Sequence, residues 1–135
     1  MSETAAVVRR LFEEVLNGGK LSLLDTLVSA AYVDHSPAAG QAPGAAGVKA
    51  KVEALRGAFP DVRFTLEDLV AEEETAAARW HWKGTHRGAF LGVPPTGRLI
   101  VVRGMDFYRV KEGRIVEHWD AVDELGMLTQ LGDLG

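Results

Sequence analysis

The residues of this chain best suited to proton transfer lie near its C-terminal end: Asp106, His118 and Asp120. The segments DFYRV and IVEHWD are rich in β-branched and aromatic residues and flank the short link KEGR, which predicts two strands joined by a turn. Because side chains alternate between the faces of a strand, one face is predicted to carry Asp106, Tyr108, Val116, His118 and Asp120. The other face carries Phe107, Glu117 and Trp119. Two carboxylates and an imidazole that converge on one face can act as general acids and bases.

How close these groups come depends on the register of the two strands. We expect Gly113 to take the left-handed position of a type I turn with a bulge, which pairs Val110 with Arg114. Counting outward gives the pairs Asp106 with His118 and Gly104 with Asp120. A shift of one residue would turn one of the two sets to the opposite face, so the predicted site rests on this register.

Composition limits the class of protein. The 135 residues fit one domain, residues 1–135, and 47% hydrophobic with 25% charged residues is typical of a globular protein with a core. The net charge of −4, from 15 basic and 19 acidic residues, offers no basic stripe to a phosphate backbone. We therefore expect a small-molecule partner and no nucleic acid.

The sequence also bears on location. Cysteine is absent, which removes disulfides, thiolate nucleophiles and cysteine-based zinc sites and is compatible with a reducing compartment. No apolar run reaches the length of a membrane span, and MSETAAVVRR lacks the pattern of a signal peptide. We expect a cytoplasmic protein that does not associate with membranes.

The hydrophobic pattern changes its period along the chain. Apolar residues at helical spacing predict helices over residues 3–17, over Ser22–Ser29 and over residues 48–59, the last ended by Pro60. From Val62 onward the period falls toward two, which predicts long strands interrupted by the Gly/Pro loop GAFLGVPPTGR. This order predicts an α+β domain, a cone in which three N-terminal helices pack against a curved, mainly antiparallel sheet. The concave side of such a cone is a natural small-molecule cavity.

Several motifs resemble those of one known family. They are FPD at 59–61, W-x-W-x-G-T-H at 80–86, G-x-F-x-G-x-P-P-T-G at 88–97, R-V-x-x-G-x-I-x-E-x-W-D at 109–120 and a closing Q-L-G. Together they are similar to the SnoaL-like polyketide cyclases, or ester cyclases, of the NTF2-like superfamily. The resemblance implies the cone-shaped fold, a homodimer and a cofactor-independent intramolecular aldol cyclisation. This is lyase or isomerase chemistry on a small, apolar substrate that carries carbonyl groups.

The resemblance also implies catalytic roles. In the cyclases that the chain resembles, the aspartate that closes the E-x-W-D strand, here Asp120, is the general base. An apolar aromatic cavity raises the pKa of such a carboxyl and makes its carboxylate a stronger base. His118 would orient Asp120 or a substrate oxygen. Asp106 stands where the family places a proton-donating histidine, and because two close carboxylates raise the pKa of one, a protonated Asp106 could serve as the acid.

Structural roles stay open for the same residues. Asp120 could cap the following turn or pair with Arg103, and His118 could be a pocket-wall histidine hydrogen-bonded to Asp106. The His-x-Asp pair is by itself a weak signal for a metal site, and we expect no metal ion and no other cofactor.

Further residues are candidates for substrate contact. His35 resembles a family position near the pocket, with burial against a backbone partner as the alternative. His86 would project toward the cavity mouth or instead anchor the GVPPTG turn. Aromatic side chains would either line the slot of an aromatic ligand or fill the core. They are Phe12, Phe59, Trp80, Trp82 and Tyr108.

Three functions remain open on the sequence. The favoured one is an acid/base enzyme of the cyclase type. The others are a non-catalytic small-molecule-binding module on the same fold and a hydrolase of the epoxide-hydrolase type, whose carboxylate and histidine groups position a water. Trp119 and Phe107 on the outer face of the sheet would form an apolar patch suited to a homodimer.

Overall fold

The computed structural model describes residues 2–132 as an α+β fold. The helices are α1 (Glu3–Arg10), α2 (Leu24–Leu27), α3 (Gly44–Ala58) and α4 (Glu124–Leu131). The strands are β1 (Val28–Asp34), β2 (Arg63–Glu72), β3 (Thr75–Thr85), β4 (Leu99–Lys111) and β5 (Arg114–Val122). A π-helix over Leu11–Asn17 continues α1, and a short 3-10 helix over Leu21–Leu23 leads into α2. Between residues 2 and 132, no helix is both long enough and apolar enough to cross a membrane.

The strands form one five-stranded sheet in the order β1-β5-β4-β3-β2. β2 to β5 make an antiparallel meander, and β1 pairs in parallel with β5 at the edge. Pairing shifts by one residue at Glu67 in β2 and at Val116 in β5. Such bulges bend and twist a sheet, so the sheet curves around the helices. The predicted α+β class with a curved, mainly antiparallel sheet is confirmed.

The core lies between the concave face of the sheet and the helices. Alternate residues of the strands point into it, as the period of two in the sequence requires. Their buried members include Phe64, Trp80, Trp82, Ile100, Val102 and Tyr108. The helices contribute Val8, Phe12, Val15 and Val52, and Phe59 follows α3. Phe12 meets Phe64 edge to face at 5.8 Å between ring centroids, which locks the first helix onto β2.

Polar contacts tie the end of the first helix to the sheet. Asn17 accepts a hydrogen bond from the backbone N–H of Phe64 and donates one to the carbonyl of the same residue. Arg56 of α3 donates to the carbonyls of Leu16 and Asn17, which would otherwise lack partners at a helix end. These contacts hold α3 and the first helix together above the sheet.

Three helices differ from the prediction. α3 begins at Gly44, four residues before the predicted start, and ends at Ala58. The second helix ends at Leu27 rather than Ser29, because the β-branched Val28 already begins β1. The C-terminal helix α4 was not predicted at all. Its signals are nevertheless present, since Asp123 accepts a hydrogen bond from the N–H of Gly126 at the N-terminus and Gly132 ends the helix with a φ of 83°.

The turn between β4 and β5 also differs from the prediction. Lys111 pairs with Arg114, and the two residues between them, Glu112 and Gly113, have φ angles of 51° and 75°. Two positive φ angles in a two-residue loop are typical of a type I′ turn, whose twist matches that of the flanking strands. Gly113 is left-handed as expected, but the predicted type I turn and its pairing are wrong.

The bulge lies inside β5 instead of in the turn. Ile115 pairs with Val110, while Glu117 pairs with Arg109, which leaves Val116 as the extra residue. Ile115 is therefore the inward residue here, 2% exposed. The prediction that Val116 shares the face of His118 is wrong, because the bulge reverses the alternation at that point.

Candidate active site

A cavity of about 390 Å³ lies between the concave face of the sheet, α3 and the start of α4. Its size falls in the range of small-molecule sites. Most of its wall is apolar, and includes Leu16, Leu55, Phe64, Trp80, Trp82 and Met127. Its polar groups include Tyr32, Asp34, Lys51, Asp106, Tyr108, His118 and Asp120. The cavity therefore suits a mainly apolar molecule with a few polar atoms.

The register of β4 and β5 brings the predicted catalytic residues together in a different pairing. Asp106 lies opposite Asp120, and Tyr108 lies opposite His118. The predicted pair of Asp106 with His118 is therefore wrong, and so is that of Gly104 with Asp120. The predicted pairing of β4 with β5 is shifted by two residues. Because side chains alternate with a period of two, each side chain beyond the bulge still lies on the predicted face. Asp106, His118 and Asp120 thus face the same cavity.

His118 is the centre of this charged cluster, with a side chain only 9% exposed. Its Nδ1 lies 3.0 Å from Oδ1 of Asp34. Its Nε2 lies 3.6 Å from Oδ1 of Asp106 and 3.8 Å from Oδ2 of Asp120. Burial alone would lower the pKa of the imidazole, but the contacts with Asp106 and Asp34 outweigh it and raise the pKa to about 9. His118 is therefore a cation at neutral pH.

Asp34, at the end of β1, is the most fully bonded carboxylate of the cluster. Besides His118, it accepts hydrogen bonds from the backbone N–H of Ser36 at 2.9 Å and from Nε2 of Gln41 at 3.0 Å. Nζ of Lys51 lies 3.7 Å away. Burial opposes ionisation, yet the hydrogen bonds from His118, Gln41 and Ser36 hold the pKa of the Asp34 carboxyl well below its usual range.

The pKa of Asp120 is shifted in the opposite direction, above its usual range. Burial raises its pKa, the charge of His118 acts against this rise, and the nearby Asp106 adds to it. Ser36 holds the backbone of Asp120, since its Oγ accepts from the N–H at 2.9 Å. The side chain does not cap the following helix, a role taken by Asp123, and it faces His118 instead of Arg103.

Two tyrosines complete the polar end of the cavity. The hydroxyl of Tyr108 donates to Oδ2 of Asp106 at 2.5 Å. Burial, and then the negative charge of Asp106, raise the pKa of Tyr108. Burial and the charge of Asp34 do the same for Tyr32. Both phenols therefore stay neutral and can serve only as hydrogen-bonding groups at physiological pH.

The same groups offer one arrangement that could hold a metal ion. Asp106, His118 and Asp120 each present a potential ligand atom, and these atoms lie within 4.8 Å of one another. An ion there would need Nε2 of His118 without its proton, whereas the surrounding carboxylates favour the protonated ring. The arrangement therefore favours a protonated His118 over a bound metal ion at neutral pH.

The other predicted residues divide between the cavity and the core. Trp80, Trp82 and Tyr108 line the cavity. Phe12 and Phe59 are buried beneath it, with exposed fractions of 1% and 0%, and are not among its lining residues.

The two histidines predicted near the pocket lie elsewhere. His86 is fully buried, and its Nδ1 accepts from the N–H of Thr96 at 3.2 Å, so it anchors the GVPPTG turn. The expected position of His35 near the cavity is contradicted: its ring lies on the outer face, stacked on Trp119 at 4.5 Å and hydrogen-bonded to Glu117 at 2.9 Å. β1 ends at Asp34, and the alternation of side chains turns the next residue outward.

Sequence reasoning missed several polar residues of the cavity wall, among them Tyr32, Asp34 and Lys51. Tyr32 and Asp34 lie on β1, which pairs in parallel with β5 across a separation of more than eighty residues. Lys51 lies on the cavity side of α3. A weak signal for Asp34 was available, because Tyr32 and Asp34 alternate with residues of the opposite face in AAYVDHS.

Comparison with known proteins agrees with this geometry. A family model described as SnoaL-like polyketide cyclase matches residues 6–131. Aklanonic acid methyl ester cyclase DnrD of Streptomyces peucetius is 30% identical over 140 residues, covering 98% of this chain and 93% of the relative.

Solved structures share the same fold. That of IdmH from Streptomyces antibioticus, a proposed polyketide cyclase, superposes with a TM-score of 0.84 at 34% identity and covers 97% of this chain and 99% of the other. That of AclR from Streptomyces galilaeus, a proposed hydroxylase, has a TM-score of 0.85 at 29% identity, with 100% and 99% coverage.

The curved sheet, the helices above it and the cavity between them define an NTF2-like protein of the cyclase type. Within that class, the chain belongs to the SnoaL-like polyketide cyclase family.

Proposed function

We propose that this protein is a cofactor-independent cyclase that closes a ring by intramolecular aldol addition. Asp120 is the general base, and His118, supported by Asp106, donates a proton to the oxygen of the acceptor carbonyl. The observation that carries the proposal is the pair formed by a cationic imidazole and a carboxyl of raised pKa, 3.8 Å apart in an apolar cavity. One group is ready to give a proton and the other to take one.

The first step is removal of a proton from carbon. A C–H between two carbonyls is acidic enough for a carboxylate whose basicity has been raised, and burial raises that of Asp120. The C–H electrons become an enolate, and Asp120 becomes neutral. The positive charge of His118 nearby stabilises the negative charge that develops on the enolate oxygen.

The second step forms the ring. The enolate carbon attacks a ketone carbon of the same molecule, and the ketone oxygen takes the proton from Nε2 of His118. The proton on Asp120 then returns to Nε2, whose distance from Oδ2 of Asp120 is 3.8 Å before any movement. The product is an isomer of the substrate, so atoms and charges balance without a metal, a nucleotide or an oxidant.

The substrate that this cavity suits is a small polycyclic or aromatic molecule with adjacent carbonyls. The wall formed by Trp80, Trp82 and Phe64 can pack against flat apolar rings, while the proton-transfer groups contact the carbonyl end. Because the enolate and the ketone belong to one molecule, the cavity supplies proximity as well as chemistry. The similarity to DnrD makes aklanonic acid methyl ester a sensible first probe.

The experiment replaces Asp120 by asparagine, which keeps the shape of the side chain and removes its basicity. We expect kcat with aklanonic acid methyl ester to fall by about 10²–10⁴-fold. The control is Asp68→Asn on the outer face of the sheet, where the exposed carboxylate pairs with Arg79. Full activity of Asp120→Asn, with the control equally active, would end the assignment of the base.

We also propose that the protein works as a homodimer through the outer face of the sheet. This face exposes Val33, Met105 and Phe107 by 49%, 59% and 41%. Phe107 packs edge to face on Trp119 at 5.7 Å, next to the ring of His35. Exposed apolar side chains gathered on one sheet face favour burial against a second copy.

A further inference from the structure

Asp34 differs from the other carboxylates of the cluster in where it comes from and what surrounds it. It belongs to the edge strand β1, whereas Asp106 and Asp120 belong to the central hairpin. Its side chain is 6% exposed. Both its oxygens are occupied: Oδ1 by Nδ1 of His118 and the N–H of Ser36, and Oδ2 by Gln41 and Lys51. It has no free oxygen with which to take a proton from a substrate.

The contact with His118 fixes two properties of the ring. Because Nδ1 donates to Asp34, the ring plane cannot rotate without breaking a hydrogen bond between two buried groups. Nε2 is thereby aimed at Asp106 and Asp120. The buried negative charge beside Nδ1 also favours the doubly protonated ring, since a neutral ring would leave it uncompensated.

We infer that Asp34 is a positioning residue, which aims Nε2 of His118 at the substrate end of the cavity and keeps that ring protonated. This inference rests on the proposed function for its kinetic consequence, but its electrostatic part can be measured in the protein without any substrate. Asp34 also joins the reaction groups to Ser36, Gln41 and α3, so it links the loop that follows β1 to the chemistry.

The alternative is that Asp34 only anchors this loop. Gln41 separates the two roles, because its Nε2 bonds Oδ2 of Asp34 while Oδ1 holds the imidazole. Gln41→Ala weakens the attachment of the loop and leaves the carboxylate beside His118. Asp34→Asn keeps the size of the side chain and removes the charge.

Other charged or titratable groups surround His118 and Asp34 and must be kept constant in the comparison. β4 contributes Asp106 and Tyr108, the latter with its ring centroid 5.1 Å from that of the imidazole. β5 contributes Asp120. β1 adds Tyr32 beside Asp34, and α3 adds Lys51. Both variants leave these five groups unchanged, so a difference between them reports on the Asp34 charge.

The test titrates His118 by NMR in the full-length protein, with histidine labelled by ¹⁵N and the His118 signals assigned by loss in His118→Gln. The wild-type midpoint is expected at about 9. In Asp34→Asn it should fall by about 1–3 units, the usual effect of losing an adjacent opposite charge. In Gln41→Ala it should stay within a few tenths of the wild-type value. An unchanged midpoint in Asp34→Asn, or an equal fall in Gln41→Ala, would overturn the inference.

A measurement on the wild type covers the case in which Asp34→Asn does not fold. At about pH 8, where an ordinary histidine is neutral, the nitrogen shifts of His118 should be those of a cation with both nitrogens protonated. A neutral ring at that pH contradicts the inference.

Kinetics then connect Asp34 to the reaction. Asp34→Asn should lower kcat for the probe ester by about 10²-fold with little change in KM, and should move the alkaline limb of the rate profile to lower pH. If Asp34→Asn changes kcat and KM equally and leaves the alkaline limb of the rate profile at the same pH, Asp34 has only a structural role. Because the NMR result needs no substrate, an inactive wild-type protein would count against the cyclase function and leave the positioning role to be judged by the titration.

Discussion

The indole of Trp80 occupies the space above Gly104 on the neighbouring strand. The two residues pair directly across β3 and β4, and a Cβ atom at position 104 would lie 2.6 Å from Cη2 of the indole. Trp80 also forms part of the cavity wall. Because Gly104 has no side chain, the indole of Trp80 can lie directly over β4. Gly104 therefore determines the position of this part of the cavity wall.

Gly104→Ala should therefore change both stability and the cavity. The added methyl group forces the indole to move, at a typical cost of about 1–3 kcal/mol for overpacking, measured as the free energy of unfolding in urea. Because the indole forms part of the cavity wall, its displacement changes the shape of the cavity. The affinity for a polycyclic ligand should therefore change more than that for a single-ring ligand, measured by tryptophan fluorescence titration.

Gly57→Ala is the matched control for that substitution. A Cβ at this exposed position of α3 meets nothing within 4 Å, and its backbone is helical. Alanine should stabilise the helix by up to about 1 kcal/mol without altering ligand affinity. Should Gly104→Ala prove neutral in stability and affinity, the contact with Trp80 does not limit the cavity.

Part of the site could be predicted because side chains alternate along a strand. A pairing that is wrong by an even number of residues still places each side chain on the correct face. The predicted pairing of Asp106 with His118 is off by two residues, yet both side chains still face the cavity beside Asp120. The bulge at Val116 could not be located from the sequence, since no local signal distinguishes it from its neighbours in RIVEHW. A type I′ turn with a glutamate at positive φ, Glu112, also departs from the usual residue preferences.

The role of Asp34 could not be predicted, because it arises from a long-range parallel pairing. β1 is a seven-residue edge strand, and its partner β5 lies at the other end of the chain. Local patterns identify strands but do not tell which strands meet. By contrast, α4 could have been predicted, since Asp123 precedes apolar residues at helical spacing, Met127 and Leu131, and Gly132 follows them.

The free energy of unfolding should fall as the pH rises from 6.5 to about 9. His118 has an ordinary pKa of 6.5 when unfolded and one of about 9 when folded, so the folded state binds the proton more tightly. Its contribution is complete below pH 6.5 and is lost as the pH rises to about 9. At about 1.4 kcal/mol per unit, the loss is on the order of 3 kcal/mol. Urea unfolding at several pH values between these limits measures it.

His118→Gln tests the source of that loss. Tyr32 and Tyr108 also have raised pKa values, but their effect on stability begins only above the ordinary pKa of a tyrosine, 10.0. The glutamine variant should therefore be less stable than the wild type at neutral pH. Its free energy of unfolding should change little between pH 6.5 and about 9. A variant that keeps the wild-type slope would show that other groups titrate there.

The outer face of the sheet should mediate dimerisation. Wild-type protein is expected to sediment as a dimer, and Phe107→Lys should shift it to the monomer, because a charge at the centre of an apolar interface is costly to bury. Sedimentation velocity at several concentrations measures the change. Leu125→Lys removes an apolar side chain of greater exposure, 68%, from α4 and should leave the dimer intact.

Isotope labelling separates ring closure from hydrolysis on the same site. In an aldol closure Asp120 and His118 move only protons, so the product formed in H₂¹⁸O should contain no solvent oxygen, measured by mass spectrometry. In D₂O the new hydroxyl exchanges freely. Substrate recovered before completion should carry more deuterium at the carbon that Asp120 deprotonates than substrate kept without protein, provided that enolate formation on the protein is reversible. Hydrolysis of an epoxide substrate on the same site would show the reverse pattern, because water opens the epoxide C–O bond: one ¹⁸O per product and no deuterium on carbon. Because both outcomes use the unmodified protein, the result depends on the reaction alone and not on the stability of any variant.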